Sequence, residues 1–579
     1  TLGLVAAQCP SPRGRPARSP RHFVRDDMTE SQSTKTQPDC DVVVVGSGFA
    51  GIYALWQARQ RGLNVRGFER ASDVGGTWFW NAYPGARCDV ESYNYAYFFD
   101  NDIVRDWEWS DACAGQEEIQ RYLRFVAERC DVLKDISFDT KVLSAAYTED
   151  TGLWSVRTSG GETVVCRYVV LAIGALSDPK APDIEGVDTF TGEAYFTSSW
   201  PKDGSVDLSG KRVGVIGTGS SGVQVVPEIA KVAAEVYVFQ RTANYVTPTS
   251  SGPMDSNLVA ALRSDPQAVR RAFRETYGGQ TPMGMGEERF LELDAAGREK
   301  ALQQAWDGKY IALAFRDAYL PEANAAISEF IRQRMSEQVE DAWTADHLVP
   351  WDHPYGGKRP CQSDAYLQAF NQSHVHLISL PETPIERVVP EGITTTAETI
   401  PLDLIVYATG FDAISGPVLA IDIAGLDGRT MKDAWVDGPV NYLGTMVHGF
   451  PNLFLPSSAM SPSVLSNMAT LAEQQVDFIF DTIEWLDQHG RPLLHPLSES
   501  QDHWHEETLR YAERRPGALT TKSWYSGANI PGKPRLFMVY CGGFKRYNET
   551  CYAELEKNFP GYELMDAPQE PEEARASGG

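Results

Sequence analysis

Four short apolar runs, each ending in a glycine turn, set the rhythm of the chain: DVVVVGSG (41–48), VVLAIGA (169–175), KRVGVIGTG (211–219) and LDLIVYATG (402–410). Unbroken Val/Ile runs, as opposed to alternating ones, predict strands covered on both faces, and so parallel sheets in an α/β fold. IYALWQARQRG (52–62) and VQVVPEIAKVA (223–233) predict the crossover helices such strands need. From about 253 to 349 the texture changes to Ala, Glu, Arg and Gln, as in AAGREKALQQAWDGKYIALAFRDAYL, which predicts a mostly helical insertion. Residues 1–37 are rich in Arg, Pro and Ser and lack the apolar core of a signal peptide, so a disordered extension is expected. An Arg-rich transit peptide is the alternative, and Met28 offers a second plausible beginning. Residues 561–579 form an acidic tail that is not expected to pack.

Two of the apolar runs continue into G-x-G-x-x-G. The first is Gly46-Ser47-Gly48-Phe49-Ala50-Gly51, followed by a helix-like stretch and a second strand ending at Glu69. Such glycines let the backbone turn tightly and approach a pyrophosphate at a helix N-terminus, and the acid accepts from a ribose hydroxyl. The second is Gly217-Thr218-Gly219-Ser220-Ser221-Gly222, whose next strand ends at Arg241-Thr242. An acid repels a 2′-phosphate, whereas Arg pairs with it bidentately. The pair therefore points to FAD at the first loop and NADPH at the second, with Gln224 on the second helix beside the dinucleotide; a solvated strand end is the plainer reading of Arg241.

Composition narrows the chemistry. The chain has 579 residues, 42% of them hydrophobic, enough to bury several cores. The net charge of −26 argues against a nucleic-acid or anionic-membrane partner, both of which need clustered Lys/Arg. Nine scattered cysteines form no C-x-x-C pair, which fits reduced thiols in the cytoplasm and supplies no metal site. A flavin reduced by NADPH must pass its electrons on. With no redox cysteine pair, oxygen is the remaining acceptor.

GGTWFWNAYPGARCDVESYNY (75–95) resembles the long fingerprint of type I Baeyer–Villiger monooxygenases. GGKRP (356–360), ATGFDA (408–413), GFPNLF (449–454), SPSVLSNM (461–468) and SWYSGANIPGKPR (523–535) are similar to further segments of that family, in family order. The resemblance implies two Rossmann-like dinucleotide domains, FAD and NADPH as cofactors, and insertion of one oxygen atom from O2 beside a ketone carbonyl through a C4a-peroxyflavin, giving an ester or lactone. It implies Arg359 as the active-site cation, oriented by Asp89; a turn or helix cap is the alternative for Asp89. Flavin contacts carry over to Ser47, Phe49, Glu69, Thr77, Trp78, Phe79, Trp80, Asp89, Tyr95, Val142 and Met468, the last two with ordinary core packing as an alternative. Lys358 joins Arg241 at the 2′-phosphate, Trp524 places an indole donor near NADP or simply packs, and Ser463, Val464 and Leu465 shape the ketone pocket. The substrate it implies is a bulky polycyclic terpenoid ketone of antibiotic biosynthesis, such as a pentalenolactone precursor. The enzyme is expected to be a monomer or weak dimer.

One position departs from the family. Its short fingerprint F-x-G-x-x-x-H-x-x-x-W reads here with Phe190, Gly192 and Trp200 in place but Phe196 for the histidine. Phe makes none of an imidazole's hydrogen bonds, so this is either a tolerated change or a weakened coupling that leaks hydrogen peroxide. Other readings are an N- or S-oxygenating flavin monooxygenase and a non-catalytic dinucleotide-binding relative. The expected division is FAD domain 38–170 and 405–560, NADP domain 178–248 and 350–400, and helical subdomain 249–349.

Overall fold

The computed structural model describes residues 37–280, 289–311, 314–566 and 568; the extension expected over 1–37 lies outside them but for Gln37. Cys40–Val45 is the centre of the first sheet. It pairs in parallel with Val65–Phe68 on one side and with Thr163–Leu171 on the other. Ile136–Ser137 and Leu453–Phe454 extend the parallel part, while Val142–Thr148 and Leu153–Thr158 form an antiparallel meander against the start of Thr163–Leu171. Val42, Val43 and Val44 are fully buried. That is what an unbroken apolar strand requires, because helices cover one face and the meander packs on the other.

The second sheet is parallel throughout, in the order Val375–Ser379, Glu235–Gln240, Arg212–Ile216, Leu404–Tyr407, Glu193–Phe196. Leu404–Tyr407 thus lies between two strands of the second sheet, so the division expected at 405 falls inside that strand. Its apolar texture matches either sheet; its neighbours are decided by the crossover that returns it beside Val213–Ile216. An antiparallel meander, Ile385–Val389, Gly392–Thr395 and Thr399–Pro401, caps this unit.

The stretch 249–349 is largely helical where described, and it packs on both cores. Pro266–Arg274 buries Phe273 against the first unit, while Ala295–Asp307 and Pro321–Ser336 bury Leu302, Ile327 and Ile331 against the second. A buried ion cluster pins the first contact: Arg270 and Arg274 reach Asp477 of helix Met468–Gln488, Arg270 also reaches Glu473, and Tyr53 of helix Phe49–Gln60 donates to Asp477 at 2.6 Å. Removing one partner would strand a buried charge, a change that costs roughly 3–5 kcal/mol in buried pairs.

The acidic tail expected from 561 begins later. Tyr562–Met565 is a strand, antiparallel to Leu493–Pro496, with Tyr562 buried; its apolar residues are the last to find a partner before the acidic run. Among the described residues eight cysteines are free and no helix is long and apolar enough to cross a membrane.

Candidate active site

Both glycine loops are built by the same three constraints. Gly46 and Gly217 have φ of +95° and +113°, and a Cβ on them would strike the carbonyl oxygens of Ala172 and Ala408 at 2.5 and 2.4 Å. Gly51 and Gly222 lie where a Cβ would meet the oxygens of Gly46 and Gly217 at 1.9 and 2.1 Å. These contacts press each helix onto its strand. The middle glycines behave differently: a Cβ at Gly48 would meet only Gly76 backbone, at 3.6 Å, and one at Gly219 nothing within 4 Å. These are also the N-cap positions of helices Phe49–Gln60 and Ser220–Ala230, and neither has a side-chain cap. Uncapped amides facing open space fit a pyrophosphate, so the residues present suit the two dinucleotides the motifs imply.

The strand ends differ. Glu69 is buried; its Oε2 accepts from the Ser47 amide at 2.7 Å and hydroxyl at 2.9 Å, and its Oε1 from the Ala71 amide at 2.8 Å. The Thr140 amide donates to the Glu69 carbonyl at 2.8 Å, which brings Val142 to the same end of the sheet, its side chain buried in the core. Arg241 is exposed. The Thr218 hydroxyl donates to the Thr242 carbonyl at 3.0 Å, and Ser220 lies 3.7 Å from the Cys361 sulfur. Burial and then the charge of Arg241 lower the pKa of Lys180. Lys358 is lowered by burial, helped by Arg241 and opposed by Asp352, 4.0 Å away. Three cations crowded with so little acid make a cradle for a dianion. Lys180 was not legible in the sequence, since it sits in no motif and reaches the cradle only through the fold.

The long fingerprint folds into a wall between the two loops. Gly76 turns with φ +53° into the short helix Thr77–Trp80. Trp78 and Phe79 are buried, Thr77 is exposed, Trp78 donates to Tyr95 at 3.2 Å, and Tyr95 packs edge-on against Phe49 at 4.8 Å. Gln224 is engaged as a joint: its Oε1 accepts from Tyr83 at 2.7 Å, and its Nε2 donates to the Arg87 carbonyl at 3.0 Å and to Asp89 at 3.5 Å. Gly85, with φ +82°, lets this segment lie on the Gln224 backbone, where a Cβ would sit 2.5 Å from the carbonyl oxygen.

Arg359 stands where the units converge. Its Nη2 is 3.5 Å from Asp89 Oδ2, its Nη1 donates to the Val464 carbonyl at 3.0 Å, and Asn244 fixes its backbone carbonyl at 2.9 Å. Burial works against the Arg359 charge, but Asp89, Tyr525, Cys88 and Cys361 more than offset it and hold the pKa above the ordinary guanidinium value. Burial raises the Asp89 pKa, and Arg359 pulls it back.

The loop under Arg359 is strained. Ser457, Met460 and Ser463 have φ of +61°, +61° and +43°, a region non-glycine residues enter at a cost and that recurs at ligand clamps. Ser463 is fully buried with an unpartnered hydroxyl, and Val464 and Leu465 are half-buried. Met468 opens the following helix, capped by Asn467, and packs against the first core. Trp524 packs edge-on against Tyr525 at 4.5 Å, its indole N–H bonded to no described residue.

Phe196 ends the edge strand Glu193–Phe196 and stacks on Tyr407 at 5.0 Å and 25°. The divergent position therefore lies in an apolar cluster with Ile405, Tyr237 and Ile378.

Residues 39–254 match the model of the flavin-binding monooxygenase-like family. A Baeyer–Villiger monooxygenase of Pseudooceanicola batsensis is 38% identical over 541 residues, 92% of this chain and 97% of that protein. The structure of an oxidized steroid monooxygenase bound to NADP superposes with a TM-score of 0.86 at 41% identity, covering 91% of this chain and 99% of the other. That of OTEMO in complex with FAD and NADP gives 0.87 at 36% identity, covering 91% and 100%.

Proposed function

We propose that this chain, which belongs to the FAD- and NADPH-dependent Baeyer–Villiger monooxygenases, converts a bulky polycyclic ketone to its lactone with Arg359 as the catalytic cation. The observation that carries the residue assignment is the Asp89–Arg359–Val464 arrangement: one guanidinium held between an acid of the first unit and a carbonyl of the strained loop. FAD, once reduced by NADPH, supplies the activated oxygen. The chain's own residues do the rest. Glu69, Ser47 and the open faces at Gly48 and Gly219 receive the two dinucleotides, and Arg241, Lys358 and Lys180 favour the phosphorylated nicotinamide cofactor. Arg359 offers a permanent charge, in a planar fork, to negative charge developing on the attacking oxygen and on the carbonyl oxygen. Asp89 orients that fork, and its negative charge holds the guanidinium in its charged form despite burial. Ser463, Val464 and Leu465 bound the space for the ketone, and the likeness to the steroid monooxygenase supports a fused-ring substrate.

The test is Arg359→Ala assayed against a panel of fused-ring ketones. NADPH should still bleach the flavin, while lactone formation, read as a mass gain of one oxygen, should fall by about 100- to 1,000-fold, the range for loss of one oxyanion donor. Ordinary lactone yield from the variant would remove Arg359 from the chemistry.

A further inference from the structure

Arg359 is not the only guanidinium beside the segment Gly356–Arg359. Arg515 follows the helix Ser498–Ala512 and is fixed by two turns, its amide donating to Ala512 at 2.9 Å and its carbonyl accepting from Ala518 at 3.1 Å. Its guanidinium lies 3.8 Å over the ring of Tyr319, which comes from the helical insertion. Its Nη2 approaches the backbone before Arg359 so closely that a Cβ on Gly356 would sit 3.2 Å from it. Yet among the described residues Arg515 has no carboxylate, no side-chain hydrogen bond, and a buried Nε without a partner. The other deeply set arginines are paired: Arg270 and Arg274 with Asp477, Arg359 with Asp89. A guanidinium carries five donors and stays charged at any working pH, so leaving it half-buried and without an acid is costly.

The surroundings connect it to the reaction. Burial raises the Tyr525 hydroxyl, and Arg359 and Arg515 both act to lower it, so this one side chain lies within electrostatic reach of both cations. The same two cations act on Tyr355, whose buried hydroxyl also lacks a partner. The next segment, Met538–Tyr540, hydrogen-bonds Tyr525 on one side and Met460 and Ser461 of the strained loop on the other. Two cations thus act on the same two tyrosines, and among the described residues only Arg359 has an acid.

We infer that Arg515 binds a carboxylate carried by the ketone substrate, with the Tyr319 ring as the platform beneath the guanidinium and the Tyr355 hydroxyl as a second donor. This rests on the ketone-oxygenating function proposed above and specifies its substrate as a fused-ring keto acid. A planar carboxylate matches the guanidinium fork. Arg359 then handles the carbonyl end and Arg515 the acid end, which fixes the face and the carbon presented for migration.

The experiment uses the full-length FAD-loaded enzyme with fused-ring keto acids of graded ketone-to-carboxylate spacing, and the methyl ester of each. For at least one spacing, the acid should exceed its ester in kcat/KM by roughly 10- to 100-fold, the worth of a charged hydrogen-bonded pair. In Arg515→Met that ratio should collapse towards one, and in Arg515→Lys it should recover in part. The KM for NADPH should be the same in all three proteins. Acids and esters turned over alike by the unmodified enzyme would overturn the assignment, as would an Arg515→Met ratio equal to the original. A raised NADPH KM would overturn it too, by assigning the guanidinium to the dinucleotide. Esters oxygenated without preference for acids would still uphold the ketone function, whereas absence of oxygenated product from acids, esters and simple cyclic ketones alike would sink that function and this inference with it.

Discussion

The two glycine loops are one backbone design used twice with opposite electrostatics. In each, the first glycine turns with positive φ against a neighbouring alanine, the last presses the helix onto the turn, and the middle one has room for a Cβ, against Gly76 at Gly48 and in open space at Gly219. At the strand end the likeness stops. Glu69 is buried and already held by two amides and a hydroxyl, whereas Arg241 is exposed beside Lys358 and Lys180. The glycines decide that a pyrophosphate is bound; the residue at the strand end decides which ribose comes with it. The acid is prebuilt into the first loop, while at the second three cations gather with only Asp352 and Asp183 acting against them.

The largest effects should come from breaking the shared backbone. Gly51→Ala places a Cβ 1.9 Å from the Gly46 oxygen, and Gly222→Ala one 2.1 Å from that of Gly217. No side chain can yield in either place. Gly51→Ala should purify colourless, losing flavin and the ligand-linked stability, about 4 kcal/mol for a cofactor a thousandfold above its Kd. Gly222→Ala should stay yellow but be reduced by NADPH only at far higher concentration. Absorbance and a thermal melt with and without added FAD check the first, stopped-flow flavin bleaching the second. A yellow Gly51→Ala protein would show that the two loops are not equivalent in construction.

A smaller change should sharpen the electrostatic half of the comparison. Arg241→Ala removes a charge-assisted contact of about 1.5–3 kcal/mol. Steady-state kcat/KM for NADPH should fall roughly 10- to 100-fold, with that for NADH little altered. An equal loss with both cofactors would mean that Arg241 acts on the fold and not on the phosphate.

How much of this was readable beforehand follows from the range of the forces involved. The loops, Glu69 and Arg241 are local: strand, turn, helix and strand end occupy one short stretch of chain, so spacing alone exposes them. Asp89 and Arg359 lie far apart in sequence, and only likeness to a family paired them. Gln224 and Arg515 were out of reach for different reasons. Gln224 sits in a dinucleotide helix, where its neighbourhood suggests a cofactor contact; spacing says nothing of the bonds its amide makes to Tyr83, Arg87 and Asp89 across the unit boundary. Arg515 sits in a charged run, ERRPG, and its meaning depends on its having no acid among the described residues around it. Sequence reports charges, not their lack of partners. The division at 405 failed because LIVYATG and VVLAIGA have the same texture, and a parallel strand's sheet is chosen by its crossover.

Phe196 should give the smallest effect. It ends the edge strand of the second sheet, its ring stacks on Tyr407, and the surrounding side chains are apolar. A histidine would lose part of that stack, worth about 0.5–1.5 kcal/mol beyond area for an aromatic pair, and would bring polar nitrogens into an apolar cluster. The Tyr407 hydroxyl is buried without a partner, so an imidazole gains at most a hydrogen bond to it, against the stacking it gives up. Phe196→His should therefore lower the melting temperature by a few degrees at most and leave lactone formed per NADPH consumed within twofold of the original. Hydrogen peroxide released per NADPH, measured alongside, should not fall. A several-fold gain in lactone yield with a matching fall in peroxide would instead show that Phe196 weakens the coupling of NADPH oxidation to oxygen insertion, and that its packing on Tyr407 is not neutral to function.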